Sequence, residues 1–253
     1  MQRVLASLMV VALSLGLLAA CGNGNKDNGE GAPDATPVID PGDGGNYTAD
    51  LDPADFVERI DNPYLPFVPG STWVYESSDG AERIEIEVLA ETRDILGIAA
   101  TIVRDTVTDE GELVEDTYDW YAQDKAGNVW YLGEDSTEYA DGKPVSKHGS
   151  WEAGVDGALA GIIMQANPAV GQAYRQEYYK DEAEDLAKVI AVGGSQSITF
   201  GDFDEVVTIQ EWTPLEPAVV ENKFFAPGVG AILEEKVLGE EGRVELVSYN
   251  PAR

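Results

Sequence analysis

The chain has 253 residues, 43% of them hydrophobic, and sets 16 Lys+Arg against 47 Asp+Glu for a formal net charge of −31. A surplus of that size repels nucleic acid and anionic lipid and offers no basic patch to release counterions, which argues against DNA or RNA binding; the same acids fit a halophilic host or cation binding. One cysteine and one histidine leave no disulfide and argue against multi-histidine zinc sites and against Ser/His or Cys/His nucleophiles.

In chain order, Arg3 and the amino terminus form a positive n-region, Val4 to Leu18 an apolar h-region, and Ala19-Ala20 the small residues before the sole cysteine, Cys21. The uncharged run is short for a membrane-crossing helix and is followed by no basic stop-transfer cluster. Leu17-Leu18-Ala19-Ala20-Cys21 resembles the lipobox of bacterial lipoproteins. The resemblance implies cleavage before Cys21, a diacylated thiol (diacylglycerol, with palmitate-type chains) and a lipid-anchored protein of the cell envelope. Gly22 lacks the aspartate of an inner-membrane retention signal, which implies the outer membrane in a Gram-negative cell and the outer face of the single membrane in a Gram-positive one. Removing residues 1–20 takes away Arg3 and no acid, so the mature chain is one unit more negative.

Residues 21–50, rich in Gly, Asn, Asp and Pro, bury too little to fold and are expected to be a disordered tether with a typical reach of about 30 Å. One domain, 51–253, follows; about 200 residues are ample for a core. Asp52-Pro53, ahead of Phe56 and Ile60, predicts a short helix, and Pro63, Pro66 and Pro69 then hold the chain extended. Strand periodicity takes over at Thr72. Glu82 to Val88 alternates strictly, and Ile98–Val107, Val206–Trp212, Ala231–Val237 and Val244–Tyr249 are β-branched or aromatic runs. Ser78-Asp79-Gly80, Asp109-Glu110-Gly111, Ala126-Gly127-Asn128, Asp141-Gly142 and Glu241-Gly242 supply hairpin turns. Val155 to Gln165, with Leu159, Ile162, Ile163 and Met164 at near-helical intervals, is expected to form a second short helix. Its glycines lack the βαβ context of a phosphate loop. The fold class is therefore all-β and mainly antiparallel, a curved meander sheet or open barrel with one or two short helices.

Thr117 to Glu134 is the densest constellation. Trp120 and Tyr121 can face Trp130 and Tyr131 across a hairpin, either as ordinary cross-strand packing or as a platform for a hydrophobic or sugar-like ligand. Asp119, Asp124 and Asn128 are the candidate calcium ligands, although the twelve-residue acidic loop with its closing glutamate is absent. His148 sits in a polar Gly-bearing loop. No catalytic residue is nominated and no cofactor is required; a carboxylate pair for glycoside hydrolysis cannot be chosen from so many acids.

Pro63–Glu76 (PYLPFVPGSTWVYE) and Phe224–Glu235 (FFAPGVGAILEE) resemble the bookends of an uncharacterised all-β domain of exported bacterial lipoproteins and periplasmic proteins. That resemblance implies the curved sheet again and transfers no catalytic residue. The expectation is a non-enzymatic module, held to the membrane through its lipid anchor, that binds a hydrophobic small molecule or an envelope protein. The alternative is a structural or interaction lipoprotein without a small-molecule ligand.

Overall fold

The computed structural model describes residues 37–239 and 242–252; the expected signal peptide (1–20), the expected lipid acceptor Cys21 and the expected tether up to residue 36 lie outside the described residues. The chain builds one antiparallel sheet. A meander of β1 (Thr72–Ser77), β2 (Glu82–Ile95), β3 (Ile98–Asp109), β4 (Glu112–Gln123) and β5 (Val129–Ala140) comes first. Three strands then return to β5: β6 (Lys143–Ser146), β7 (Trp151–Glu152) and β8 (Leu159–Met164). After the short β9 (Ala173–Arg175) and β10 (Glu177–Tyr178), a second meander follows: β11 (Leu186–Ile198), β12 (Gly201–Trp212), β13 (Val220–Ala226), β14 (Gly230–Leu238) and β15 (Arg243–Asn250).

Along the main path the order is β10-β8-β5-β4-β3-β2-β1-β15-β14-β13-β12-β11-β9. β1 pairs with β15 and so joins the two meanders. The sheet is not closed by a ladder, yet its two end strands are consecutive in sequence, separated only by Gln176. One stretch of chain, 173–178, thus covers both edges, pairing with β11 through one half and with β8 through the other. This treats the edge hazard of an open sheet by keeping each terminal strand very short.

The period-2 pattern reads out as expected: Ile84, Ile86 and Val88 are buried while Arg83, Glu85 and Glu87 are exposed. The buried face continues through Trp73, Tyr75, Val103, Val107, Ile209 and Leu246 into one core cluster. The Ser78-Asp79-Gly80 and Asp109-Glu110-Gly111 turns fall between strands as predicted, with Gly80, Glu110 and Gly111 at positive φ. The β2–β3 turn is unannounced in sequence because Leu96, not Asn or Asp, precedes Gly97, both at positive φ (54° and 82°).

Two expectations are corrected. Val155 to Gln165 is not helical: Asp156 and Gly157 take positive φ and close a turn, and residues 159–164 are β8, with Ile162 opposite Trp130 and Gly161 opposite Tyr131. Helical spacing of apolar residues lost to pairing with β5, because Gly154, Gly157 and Gly161 weaken a helix and the β-branched Ile162 and Ile163 suit a strand. The tether also ends sooner than expected. Within residues 37–50, Ile39 is buried, Asp43 pairs with Arg175, and the Tyr47 hydroxyl donates to the Ala160 carbonyl at 2.8 Å. Composition argued for disorder, but Asp43 and Tyr47 find partners on the folded sheet and Ile39 is buried. The helix after Asp52 is a single 3₁₀ turn, Pro53–Asp55, capped by the Asp52 side chain. It stops there because the Val57 amide donates to the Gln123 carbonyl of the β4–β5 hairpin and the Asp55 carbonyl accepts from the Lys125 amide of that hairpin.

Candidate functional site

The aromatic hairpin forms, but its four rings do not share a surface. Tyr121 and Tyr131 are directly opposite, stacked at 4.8 Å between centroids, and have no solvent exposure. Tyr131 meets Trp151 edge-on at 5.3 Å and donates to Asp119 Oδ1 at 2.6 Å. Trp120 is buried on the other side of β4, and the Arg93 guanidinium lies 4.1 Å from its ring centroid. Half-buried Trp130 donates its indole N–H to Asp124. Cross-strand stacking holds Tyr121 and Tyr131, while Trp120 is covered by Arg93 and Trp130 is tied to Asp124.

The proposed calcium ligands do not converge. Asp124 accepts from the Asn128 backbone and side-chain amides at 2.9 and 2.8 Å, closing the hairpin turn. Burial disfavours its charge, but bonds from Trp130 and Asn128 outweigh burial and hold its carboxyl below the ordinary value. Asp119 lies five residues back along the strand, about 16 Å away at strand spacing, and is committed to Tyr131. Among the described residues no group of three His, Cys, Asp or Glu side chains is placed to hold a metal ion.

What the sequence did not disclose is a layer of acids inside the sheet. Strand alternation sends Asp105, Glu115, Asp119, Glu134, Glu211 and Glu234 to the buried face. Asp119 sits opposite Glu134, and Asp105 opposite Ile86 and Thr117. Lys223 is the buried ammonium among them, 2.7 Å from Glu211 and 3.7 Å from Glu234. Burial works against its charge, but Glu211, Glu234 and Glu221 together raise its pKa. Burial pushes Glu115 and Asp119 up to about 7 and drives Asp105, Glu134 and Glu234 well above the ordinary range. With so many acids in the chain, no local signal marks which would face inward.

These carboxyls make stability depend on pH. The unfolded chain releases the protons of Glu115 and Asp119 near 4.5 and 3.8, and the folded chain holds them to about 7. Their contribution to stability is therefore complete below about pH 4 and is lost as pH rises to about 7. Asp43, held low by its bond to Arg175, works in the opposite sense at the acid end. The urea midpoint is expected to fall between about pH 5 and pH 8 at fixed salt, less steeply in Glu115→Gln. A midpoint that climbs over that interval would refute the burial of these acids.

The two segments singled out at either end of the domain come together beside this layer. The Gly228 amide donates to the Pro63 carbonyl at 2.7 Å, Trp73 Nε1 to the Val229 carbonyl at 2.7 Å, and the Tyr75 hydroxyl to the Ala231 carbonyl at 3.0 Å. Between them lies a narrow pocket, open at one side. Leu65 and Phe67 of the proline segment line it with Trp73, Tyr75, Ile86, Ile163, Phe225, Gly230 and Ala231; Glu211 and Lys223 are its polar wall. Phe67 meets Trp73 edge-on at 5.9 Å. Trp73 and Tyr75 spend their donors on backbone carbonyls, so the surfaces they present are apolar. The proline segment is pinned upstream, where Asn62 Nδ2 donates to the Gly127 and Gln165 carbonyls.

No protein-family model matches the chain, and no curated protein does. Two solved bacterial structures are similar to it. One, from Bacteroides fragilis, is described as an exported protein with a YmcC-like fold: 14% identity, 74% of this chain and 99% of that one covered, TM-score 0.43. The other, from Parabacteroides distasonis, is described as a lipoprotein: 13% identity, 75% and 99% covered, TM-score 0.34.

Proposed function

We propose that this chain is an extracytoplasmic module, moored through Cys21, that binds an apolar molecule between its proline segment and the inner face of the sheet. The observation that carries the reading is the pocket itself: concave, lined by four aromatic rings, with its polar groups confined to one wall. Binding rather than catalysis is the role read from it. Trp73 reports occupancy, because a ligand there replaces water and ring contacts around the indole. Titrating the chain from residue 22 onward, which contains every described residue, with octanol is expected to give a saturable change in tryptophan emission that Trp73→Phe removes. A linear, non-saturating response would count against the pocket.

The mooring rests on the lipobox resemblance and has its own test. Cys21→Ala is expected to abolish labelling by a fatty-acid analogue and move the protein out of the membrane fraction; a variant still labelled and sedimenting with membranes would remove the anchor from Cys21. A second reading, an interaction module without a small ligand, is favoured by the filled interior around Tyr121, Tyr131, Leu132 and Met164, each without measurable exposure. In-cell crosslinking to one recurrent envelope protein, together with no octanol saturation, would favour it.

A further inference from the structure

The segment that covers both sheet edges carries a buried acid. Glu177 of β10 has no solvent exposure; its Oε2 accepts from the Trp151 indole at 2.8 Å, and its Oε1 has no donor. Trp151 stands opposite Glu134, and Glu134 opposite Asp119, so one row across β7, β5 and β4 leads from Glu177 to Asp119. Side chains opposed in this way stand about 5 Å apart on the same face. Tyr131 spans the row, donating to Asp119 and meeting Trp151 edge-on. Asp119 Oδ2, Glu134 Oε2 and, just before β11, Asp185 Oδ1 are likewise buried without a donor. The basic side chains around them are engaged elsewhere. Lys223, Arg175 and His148 sit with Glu211, Asp43 and Glu182 at 2.7, 2.6 and 3.4 Å, and Lys180 and Lys188 are exposed.

A buried row of carboxyls without a cation tolerates little ionisation. The segment that carries Glu177 is lightly held, pairing with β8 only at Glu177 and Tyr178 and with β11 only at Ala173, Tyr174 and Arg175. We propose that 173–178 is a pH-operated latch, seated on the sheet while Glu177 and the acids facing it hold their protons and released when they ionise. Release unpairs β8 and β11 together and opens the inner face at the seam. The sign follows from burial, which pushes Asp119 and Asp185 up to about 7 and Glu177 and Glu134 well above the ordinary range. Seating is fully supported below about pH 4 and weakens as pH rises to 7 and beyond. The titratable groups facing Glu177 are Asp119 and Tyr121 from β4, Glu134 and Tyr131 from β5, and Asp185, none of them a cation. Asp43, held low by Arg175, is ionised throughout this range and adds no slope. The exposed pair of His148 and Glu182 is screened by water.

Hydrogen exchange on the chain from residue 22 onward tests the latch, with rates corrected for the intrinsic pH dependence of amide exchange. The opening constant at 173–178, read at amides such as that of Gln176 on the Asp185 carbonyl, is expected to rise about tenfold per unit between pH 5 and pH 8 for each proton given up. Val103 and Val107, in the core, should stay protected over the same range. In Glu177→Gln, checked for a cooperative thermal transition, that slope should fall by about half or more, although the Asp43–Arg175 and His148–Glu182 pairs are intact. A seam whose opening is flat with pH in the parent, or that opens only together with Val103 and Val107, would overturn the latch without recourse to the variant. A Glu177→Gln protein that keeps the full slope would overturn it as well.

Discussion

Gly161→Ala is expected to lower the melting temperature by about 6–12 °C, corresponding to about 3 kcal/mol of overpacking in a domain of this size. A Cβ at residue 161 would lie 2.2 Å from the Gln176 carbonyl carbon, 2.3 Å from its oxygen and 2.6 Å from the Arg175 oxygen. All three are backbone atoms of the segment that covers both sheet edges, so no rotamer change relieves the clash. The segment 173–178 must be displaced, and its pairing with β8 and β11 goes with it. Gly201→Ala is the control: its Cβ meets nothing within 4 Å and its φ is ordinary, so it should melt within a degree or two of the parent. Equal melting of the two variants would show that the backbones do not cross at Gly161.

Asp43→Ala should cost about 3 kcal/mol, because it strips the partner from a buried guanidinium. Arg175 and Asp43 side chains are only 8% and 17% exposed, joined by a 2.6 Å bond from Nε to Oδ2. The guanidinium also lies over Tyr178 at 4.7 Å and near Tyr47 at 5.7 Å, so the three residues Asp43, Tyr47 and Tyr178 enclose it. Replacing Arg175 by methionine in the Asp43→Ala background is expected to recover most of the loss, since the uncompensated charge and not the missing bond dominates. Starting the chain at residue 51 should destabilise it at least as much as Asp43→Ala. If that shortened chain melts with the parent, residues 37–50 do not fasten the edge strands.

These two predictions fall where sequence reasoning was weakest. Glu82 to Val88 could be assigned a strand and a buried side from alternation alone, and the glycine turns placed the hairpins, because both signals are local. The aromatic hairpin was equally legible as a hairpin: Tyr121 and Tyr131 do face each other. Its burial was not, since Trp151 and Arg93, which cover two of its rings, come from distant chain. β8 was misread as a helix for the same reason. Its apolar spacing is ambiguous over six residues, and the partner that decides it, β5, lies outside any sequence window.

The candidate site divides in the same way. Pro63–Glu76 and Phe224–Glu235 stand out by their resemblance to the ends of an exported all-β domain, but nothing in either segment says that Gly228 bonds to Pro63 or that Trp73 and Phe225 line one pocket. By itself the sequence determined the charge, the single cysteine and histidine, the antiparallel all-β class and the positions of turns such as Ser78-Asp79-Gly80 and Asp109-Glu110-Gly111, all properties of residue type and short-range geometry. Only the tertiary structure decided which acids face inward around Lys223, that the tether's last residues clasp Arg175, and that one segment serves both sheet edges. Those outcomes depend on contacts that no local pattern announces, 132 residues apart for Asp43 and Arg175, and the physics that settles them is burial and pairing between partners brought together only in the folded chain.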